Sequence, residues 1–127
     1  MSTKIIKATK KNINEAGYLF DLYRQFYKYK SNIKASTNYI KDRINKKDSF
    51  IFLCLYQNQP AGFLQLYETF DSLNINKKLI LYDLYVEKKF RRNGIGRKLM
   101  NTAKKLAKSK KIKIVELSTA TNNKKAQ

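Results

Sequence analysis

The stretch YDLYVEKKFRRNGIGRKLM, residues 82–100, joins two different local patterns through a short basic turn. Its first part continues KKLILYDLYVE, residues 77–87, whose apolar residues on both faces predict a central β-strand. Its last part opens an amphipathic helix whose apolar residues share one side: Ile95, Leu99, Ala103 and Leu106. The stretch therefore predicts a strand, a turn RRNGIG at residues 91–96, and a helix.

The turn has the properties of an anion site. A strand that runs through a glycine turn into a helix brings several free backbone N–H groups to one point. The helix dipole adds partial positive charge there, and Gly94 and Gly96 let an anion approach the backbone. Arg91, Arg92 and Arg97 can add charge-assisted contacts suited to phosphate. The turn lacks the ending of a Walker A loop and the third glycine of the dinucleotide fingerprint. It predicts a phosphate or pyrophosphate cradle, the alternative being an ordinary turn with surface arginines.

Composition limits the classes of protein and site. A chain of 127 residues without repeats or linkers predicts one domain over residues 1–127. Hydrophobic residues are 43% and aromatic residues 13%, which excludes a disordered chain. A single cysteine, Cys54, and no histidine exclude a disulfide framework and His-based catalysis, and no metal site is expected. No apolar run has the length of a signal peptide or membrane span, so a cytoplasmic protein with no membrane partner is expected.

The charge balance allows two interpretations. Lys and Arg number 28 against 9 Asp and Glu, a net charge of +19 that favours a polyanionic partner. The lysines are, however, spread along the chain rather than grouped on one element, which is typical of a solvated surface. Nucleic-acid binding is therefore the less favoured hypothesis.

The remaining segments complete an α/β pattern. TKIIKAT alternates like a first strand, and SFIFLCLYQ and AGFLQLYETF predict two strands joined by a turn at NQP. IKIVELST predicts the last strand, with Val115 buried on one face and Ile112, Ile114 and Leu117 on the other. The predicted order is β-α-α-β-β-β-α-β, a mixed central sheet with hairpins and one strand–helix–strand crossover.

Two helices between the first and second strands have candidate caps. Asn12 followed by Glu15 is similar to a capping box for the first helix, whose apolar face includes Leu19 and Tyr23. Ser36 is a candidate cap for the second helix.

Arg91-x-x-Gly94-x-Gly96 resembles the acetyl-CoA motif of the GNAT superfamily of N-acetyltransferases, Arg/Gln-x-x-Gly-x-Gly/Ala. Residues 82–100 resemble the family's run through its fourth strand and third helix, and the order of elements is similar over the whole chain. The resemblance implies a GNAT-like sheet. It also implies an acetyl-CoA-dependent N-acetyltransferase acting on a primary amine of a small molecule or a protein.

The resemblance also implies where acetyl-CoA binds. The cosubstrate would lie where the fourth and fifth strands separate, with its pantetheine arm along Leu84, Tyr85 and Val86. Its pyrophosphate would contact the turn and helix start, which comprise Arg91, Arg92, Asn93, Gly94, Ile95, Gly96 and Arg97. Asn123, in N-x-x-A, matches a family asparagine that contacts the cofactor.

The same resemblance gives catalytic candidates. Asp83 could bind a cationic amine or order a water that takes its proton, and the alternative is an ion-pairing carboxylate. Tyr82, where relatives that acetylate polyamines carry Glu, is a weaker candidate because a strand tyrosine more often packs. Glu68 and Tyr67 border the predicted acceptor pocket or, alternatively, lie on the surface.

The chain departs from the family after Asn123. A tyrosine that often serves as general acid, a helix and a final β-hairpin follow there in the family, whereas this sequence stops at Gln127. The expectation is a C-terminally shortened domain with IKIVELST as an exposed edge, a possible homodimer through that edge, and slow acetyl transfer. The alternatives are a catalytically impaired CoA-binding or interaction module and a basic nucleic-acid-binding protein.

Overall fold

The computed structural model describes residues 2–118. The strands are β1 (Thr3–Lys7), β2 (Phe50–Tyr56), β3 (Gln59–Asp71), β4 (Asn76–Val86) and β5 (Val115–Leu117). The α-helices are α1 (Ile13–Phe26), α2 (Ile33–Lys46) and α3 (Ile95–Ser109), and short 3-10 turns span Lys10–Asn12 and Lys88–Phe90. The order of strands and α-helices confirms the predicted α/β arrangement.

One five-stranded sheet carries the fold, with its strands in the order β1-β2-β3-β4-β5. Neighbours from β1 to β4 are antiparallel, whereas β4 and β5 are parallel and are connected through α3. β4 thus ends at the turn that leads into α3, and the predicted anion site lies at the edge where the two parallel strands meet.

Helices cover both faces of the sheet. Leu19 of α1 and Ile40 of α2 pack with Phe63 of β3 on one face. Leu99 of α3 packs with Leu64 and other β3 and β4 leucines on the opposite face. Cys54 is buried in this second cluster and acts as a small core residue. Because both faces are covered, β3 and β4 are apolar along most of their length.

The helix caps differ from the prediction. Asn12 makes no side-chain cap bond to α1, and it instead forms a capping box with Thr9 around the preceding 3-10 turn. Asn32 caps α2, since its side chain accepts a hydrogen bond from the Ala35 N–H at 3.1 Å. Ser36 lies inside α2, where its hydroxyl donates to buried Asp21 of α1 at 2.7 Å. Ser36 therefore joins two helices rather than starting one.

The β2–β3 turn also differs from the prediction. It consists of Gln57 and Asn58, with φ angles of 52° and 64°, and Pro60 lies inside β3 opposite Leu55. Positive φ at both central residues matches the twist of a two-residue hairpin, so the chain turns earlier than NQP. The pairing is irregular between Cys54 and Leu55, which places Pro60 beside a break in the regular register.

The last strand is shorter than IKIVELST. Only residues 115–117 form β5, and Ile114 and Leu117 are 40% and 52% exposed, so the predicted apolar face is not buried as a whole. Ile112 is buried but precedes the strand, packing with α3 residues. Asn123 lies outside the described residues.

Candidate active site

A bulge in β4 sets the direction of the two catalytic candidates. Gln65 of β3 pairs with Asp83 and the next residue, Leu66, pairs with Leu81, so Tyr82 is an extra residue in β4. An extra residue interrupts the alternation of side chains along a strand. Tyr82 and Asp83 consequently both line one cavity on the α1–α2 face, while Leu81 packs on the α3 face.

Asp83 is held by two hydrogen-bond donors. Gln65 Nε2 donates to Asp83 Oδ2 at 2.6 Å, and the Tyr23 hydroxyl donates to the same carboxyl group. Gln65 is fully buried, and its Oε1 accepts from Ser49 Oγ at 2.9 Å, which fixes the amide orientation. Burial raises the pKa of Asp83 above its ordinary value and outweighs the lowering effect of these hydrogen bonds. Asp83 is thus a partly buried carboxyl group with increased affinity for a proton.

Aromatic rings form the walls of the cavity around Asp83. It has a volume of about 490 Å³ and is lined by Phe20, Tyr23, Arg24, Tyr39, Tyr67, Tyr82 and Asp83. We call it the acceptor cavity. The hydroxyls of Tyr39 and Tyr67 are 2.9 Å apart, and the Tyr67 and Tyr82 rings meet edge to face at 5.2 Å. Desolvation raises the pKa of Tyr23 and Tyr67, so these phenols stay protonated at neutral pH. Aromatic faces beside a carboxylate favour a cationic guest.

The side chains of Tyr67 and Glu68 lie on opposite faces of the sheet. Tyr67 lines the acceptor cavity, whereas Glu68 forms ion pairs with Lys77 at 3.7 Å and Lys110 at 3.5 Å. Consecutive strand residues point to opposite faces, so only one of them can reach the cavity. Glu68 therefore does not line this cavity, and its position fits the surface alternative.

A second cleft lies at the carboxyl end of β4 and the start of α3. It has a volume of about 530 Å³ and is lined by Phe26, Tyr27, Leu84, Tyr85, Val86, Arg91, Arg92, Gly94, Ile95 and Gly96. We call it the cofactor cleft. Most of the residues predicted to contact acetyl-CoA line this space. Asn93 and Arg97 are not part of its lining.

The strand edge beside the cleft is open in the described part of the chain. β5 pairs with β4 only at Leu79, Ile80 and Leu81, and the Ser118 N–H extends the ladder with one bond to the Leu81 carbonyl. Within residues 2–118, β4 continues past this point to Val86 with β3 as its only neighbour. Backbone groups of residues 84–86 can therefore pair with a ligand.

The glycines leave room at the start of α3. Gly94 is the N-cap residue, with a left-handed φ of 71° and no side-chain cap bond. A Cβ atom added at Gly94 or Gly96 would meet nothing within 4 Å, so the space beside both is open. The first amides of α3 have no acceptor within the helix and point toward this space. Open space, unpaired amides and the helix dipole together fit a pyrophosphate.

The turn's polar side chains brace the loop. Arg91 Nε donates to the Val86 carbonyl at 2.9 Å, and its guanidinium lies 5.6 Å from the Tyr85 ring centroid. Asn93 Nδ2 donates to the Phe90 carbonyl at 2.8 Å. Arg91 and Asn93 thus hold the strand end against the turn in this structure.

Several site residues were missed by sequence reasoning. Gln65 donates to Asp83, and Phe20, Tyr39 and Arg24 line the acceptor cavity. Tyr23 was assigned to the core because of its helical spacing, although its hydroxyl reaches Asp83. Gln65 could have been predicted from the sequence, because a glutamine inside the apolar run AGFLQLY needs a buried hydrogen-bond partner.

Residues 2–118 contain neither a cluster of metal ligands nor a membrane-spanning helix. They contain no group of three or more His, Cys, Asp or Glu side chains that could hold a metal ion. No helix among them is both long and apolar enough to cross a membrane.

Known proteins resemble this chain in sequence and in fold. A model of the acetyltransferase (GNAT) family matches residues 17–127. The chain is 34% identical over 109 residues to YhfO, an uncharacterised N-acetyltransferase of Bacillus subtilis, covering 86% of this chain and 73% of that protein. The crystal structure of a probable acetyltransferase superposes with a TM-score of 0.89 at 32% identity, covering 98% of this chain and 83% of that one.

A more distant structure shares the fold. It is a predicted acetyltransferase from Clostridium acetobutylicum, solved with acetyl-CoA, with a TM-score of 0.78 at 17% identity and coverage of 98% and 86% of the two chains. The family match over most of the chain, together with relatives above 30% identity, decides the assignment. The chain belongs to the GNAT family of acetyltransferases.

Proposed function

We propose that this protein transfers an acetyl group from acetyl-CoA to a primary amine, with acetyl-CoA in the cofactor cleft and the amine in the acceptor cavity. The observation that carries the proposal is the sharing of β4 between the two spaces. Tyr82 and Asp83 line the acceptor cavity, and the next three residues, 84–86, line the cofactor cleft. Two reactants bound on consecutive residues of one strand would be held together, which removes much of the entropic cost of their encounter.

The cofactor cleft supports binding of a CoA thioester through its backbone. The amides at residues 95–97 and the open space beside Gly94 and Gly96 would take the pyrophosphate. The free strand edge at residues 84–86 would pair with the amides of the pantetheine arm. Asn123 remains a predicted contact. The bound cosubstrate would supply the activated acetyl group.

Asp83 is suited to prepare the acceptor. A protonated amine has no lone pair with which to form the new C–N bond, so it must first lose a proton. Because its pKa is raised, the Asp83 carboxylate is a stronger base than an exposed aspartate. Tyr23 and Gln65 hold it in place. Asp83 takes the proton that the ammonium group loses before attack. As the C–N bond then forms and the C–S bond breaks, the nitrogen loses a second proton, which passes through water to the departing thiolate. Tyr82, half exposed at the cavity mouth, would orient the acceptor.

Ligand-dependent stability tests the cofactor half of the proposal. Acetyl-CoA or CoA should stabilise the fold by roughly 2–4 kcal/mol at a hundred- to thousandfold excess over the dissociation constant. Thermal melts and calorimetry would measure this effect. If millimolar CoA does not change the melting temperature, the proposed function is refuted.

Gly96→Leu gives a sharp version of the test. The added side chain would enter space that is free of protein atoms, so it should weaken CoA binding at least tenfold while the fold stays intact. Asn101→Leu, on an exposed position of the same helix, is the matched control and should bind CoA normally. If Gly96→Leu also bound CoA normally, the glycine would serve only the turn.

Acetyl transfer to a panel of primary amines tests the chemical half. Tight CoA binding without transfer to any amine would favour a catalytically silent CoA-binding module.

Nucleic acid should bind weakly and with steep salt dependence, because the charge is scattered and no nucleic-acid motif is present. Pairing of two copies along β5 stays a prediction, and light scattering would measure it.

A further inference from the structure

Arg24 is a cation at the acceptor cavity that the proposed acetyl transfer does not use. It lies in the last turn of α1, next to Tyr23, and lines the same cavity as Asp83. Its Nη1 atom is buried and has no hydrogen-bond partner in the described structure. Its guanidinium lies over the Tyr29 ring at 5.1 Å, and no ion pair to it occurs among residues 2–118. Arg24 thus lines the same cavity as the Asp83 carboxyl group and has a guanidinium without an ion-pair partner among residues 2–118.

The other arginine near this cavity is already neutralised. Arg43 lies over the Tyr39 ring at 5.0 Å, but its Nη1 is 3.0 Å from the carboxylate of Asp48. Arg43 also has a buried Nε atom without a hydrogen-bond partner, but its charge is paired with Asp48, whereas Arg24 has no ion pair among residues 2–118. A buried N–H of a charged group without an acceptor is costly, and a carboxylate would satisfy it with a strong charge-assisted hydrogen bond.

The charge of the whole protein favours the same type of acceptor. A net charge of +19 repels a small polycation such as a diamine before it reaches the cavity. An amine that also carries a carboxylate avoids this penalty and can use both charged residues. A cavity of about 490 Å³ has room for a molecule of amino-acid size.

We propose that the acceptor is a small amine bearing a carboxylate, of the amino-acid type, with its amine at Asp83 and its carboxylate at Arg24. This inference rests on the proposed acetyl transfer. It goes further by assigning Arg24 as the residue that determines acceptor specificity.

Matched acceptor pairs test the inference on the unaltered protein. L-lysine with cadaverine, L-tyrosine with tyramine and L-alanine with ethylamine are three pairs in which the second member lacks only the carboxylate. We expect at least one amino acid to exceed its partner about tenfold or more in kcat/KM, as one charge-assisted hydrogen bond allows. Equal use of both members, or preference for the decarboxylated member, in every pair would overturn the inference.

Two variants test Arg24 itself. Arg24→Gln should bring the ratio of kcat/KM between the preferred amino acid and its decarboxylated partner close to one. Arg24→Lys should give an intermediate ratio, because it keeps the charge but loses the planar donors. Lys30→Gln removes the same unit of charge from an exposed position outside the cavity and should keep the wild-type ratio. A ratio unchanged by Arg24→Gln, in a variant that melts normally, would refute the role of Arg24.

Binding separates failure of this inference from failure of acetyl transfer. Melts of CoA-saturated protein with each pair member report acceptor binding without turnover. Greater stabilisation by an amino acid than by its decarboxylated partner, lost in Arg24→Gln, would support the inference even if no acetyl group moved. No difference in any pair would overturn it, whereas a protein that ignores CoA altogether would refute the proposed function.

Discussion

Asp21 and Asp83 are two acidic residues withdrawn from solvent whose surroundings give them opposite properties. The carboxylate of Asp21 accepts four hydrogen bonds, from Gln25, Ser31, the Asn32 N–H and Ser36, at 2.7–3.0 Å. Desolvation alone would raise the pKa of Asp21, but the four donors together lower it below its ordinary value. Asp83 accepts from Gln65 and Tyr23, and desolvation prevails, so its pKa is raised.

The difference shows that burial alone does not decide the role of a carboxylate. With four donors, Asp21 is a permanent charge that ties the end of α1 to the start of α2. With two donors beside an open cavity, Asp83 keeps the capacity to exchange a proton. One aspartate joins the two helices, and the other is the residue to which we assign the proposed chemistry. The following predictions test this contrast, beginning with the largest expected effect.

Asp83→Asn should lower acetyl transfer by roughly 10²–10⁴-fold, because a positioned base contributes about that much to a proton-transfer step. CoA binding should persist, since Asp83 does not line the cofactor cleft. Steady-state kinetics with the preferred amine and thermal melts with CoA would measure the two effects. Asp42→Asn, on an exposed position of α2, removes the same charge and should leave turnover unaltered. A loss below about tenfold would contradict a base role for Asp83.

Asp21→Ala should lower the free energy of unfolding by about 3 kcal/mol or more, because it leaves the hydroxyls, amide and N–H around it without an acceptor. Urea denaturation would measure the change, with Asp42→Ala as the exposed control. Loss of less than about 1 kcal/mol would show that Asp21 does not hold α1 to α2.

The two aspartates should contribute to stability with opposite pH dependence. Asp21 has a lowered folded pKa, so its contribution is present above the unfolded pKa and is lost as pH falls through the folded value. Asp83 has a raised folded pKa, so its contribution is present below the unfolded pKa and is lost as pH rises through the folded value. Melting temperatures of the wild type minus those of each Asp→Asn variant, from acid to neutral pH, should slope in opposite directions. Parallel slopes would refute the contrast.

Tyr23→Phe should produce the smallest effect, a shift of the acidic limb of kcat/KM toward higher pH. The hydroxyl lowers the pKa of Asp83 by hydrogen bonding, so its removal should raise that pKa further. Tyr18→Phe is a matched control on the same helix, because the Tyr18 hydroxyl bonds Glu87 and lines neither cavity. That Glu87 contact raises the pKa of Tyr18 to about 12. If the acidic limb of the kcat/KM pH profile is unchanged in Tyr23→Phe, a group other than Asp83 controls the pH dependence of the rate.

Local chemistry explains which parts of the site were predictable. The turn at residues 91–96 is held by contacts between residues close in the chain, so its sequence predicts the open space beside its glycines and the unpaired amides at the start of α3. The caps were less predictable because neighbours compete for the same side chain. Ser36 is a good N-cap residue by type, but the Asp21 carboxylate of another helix accepts its hydroxyl.

The acceptor cavity was harder to predict from the sequence than the turn or the helix caps. Asp83 could be nominated through the family resemblance, but the pKa of its carboxyl group depends on burial and on a hydrogen bond from Gln65, which is eighteen residues away along the chain. The bulge that turns Tyr82 and Asp83 to one side arises from the register between β3 and β4. Residues of α1, α2 and two strands meet there only after the chain has folded.

The sequence by itself determined the order of the elements, the apolar faces of the strands and helices, and the backbone cradle at the start of α3. These features depend on contacts between residues a few positions apart and on the alternation of polar and apolar side chains. Only the tertiary structure decided which carboxylate would be a fixed charge and which could take up a proton. The sign of each pKa shift depends on the balance between desolvation and hydrogen-bond donors, and that balance is set by the segments that pack around the carboxyl group.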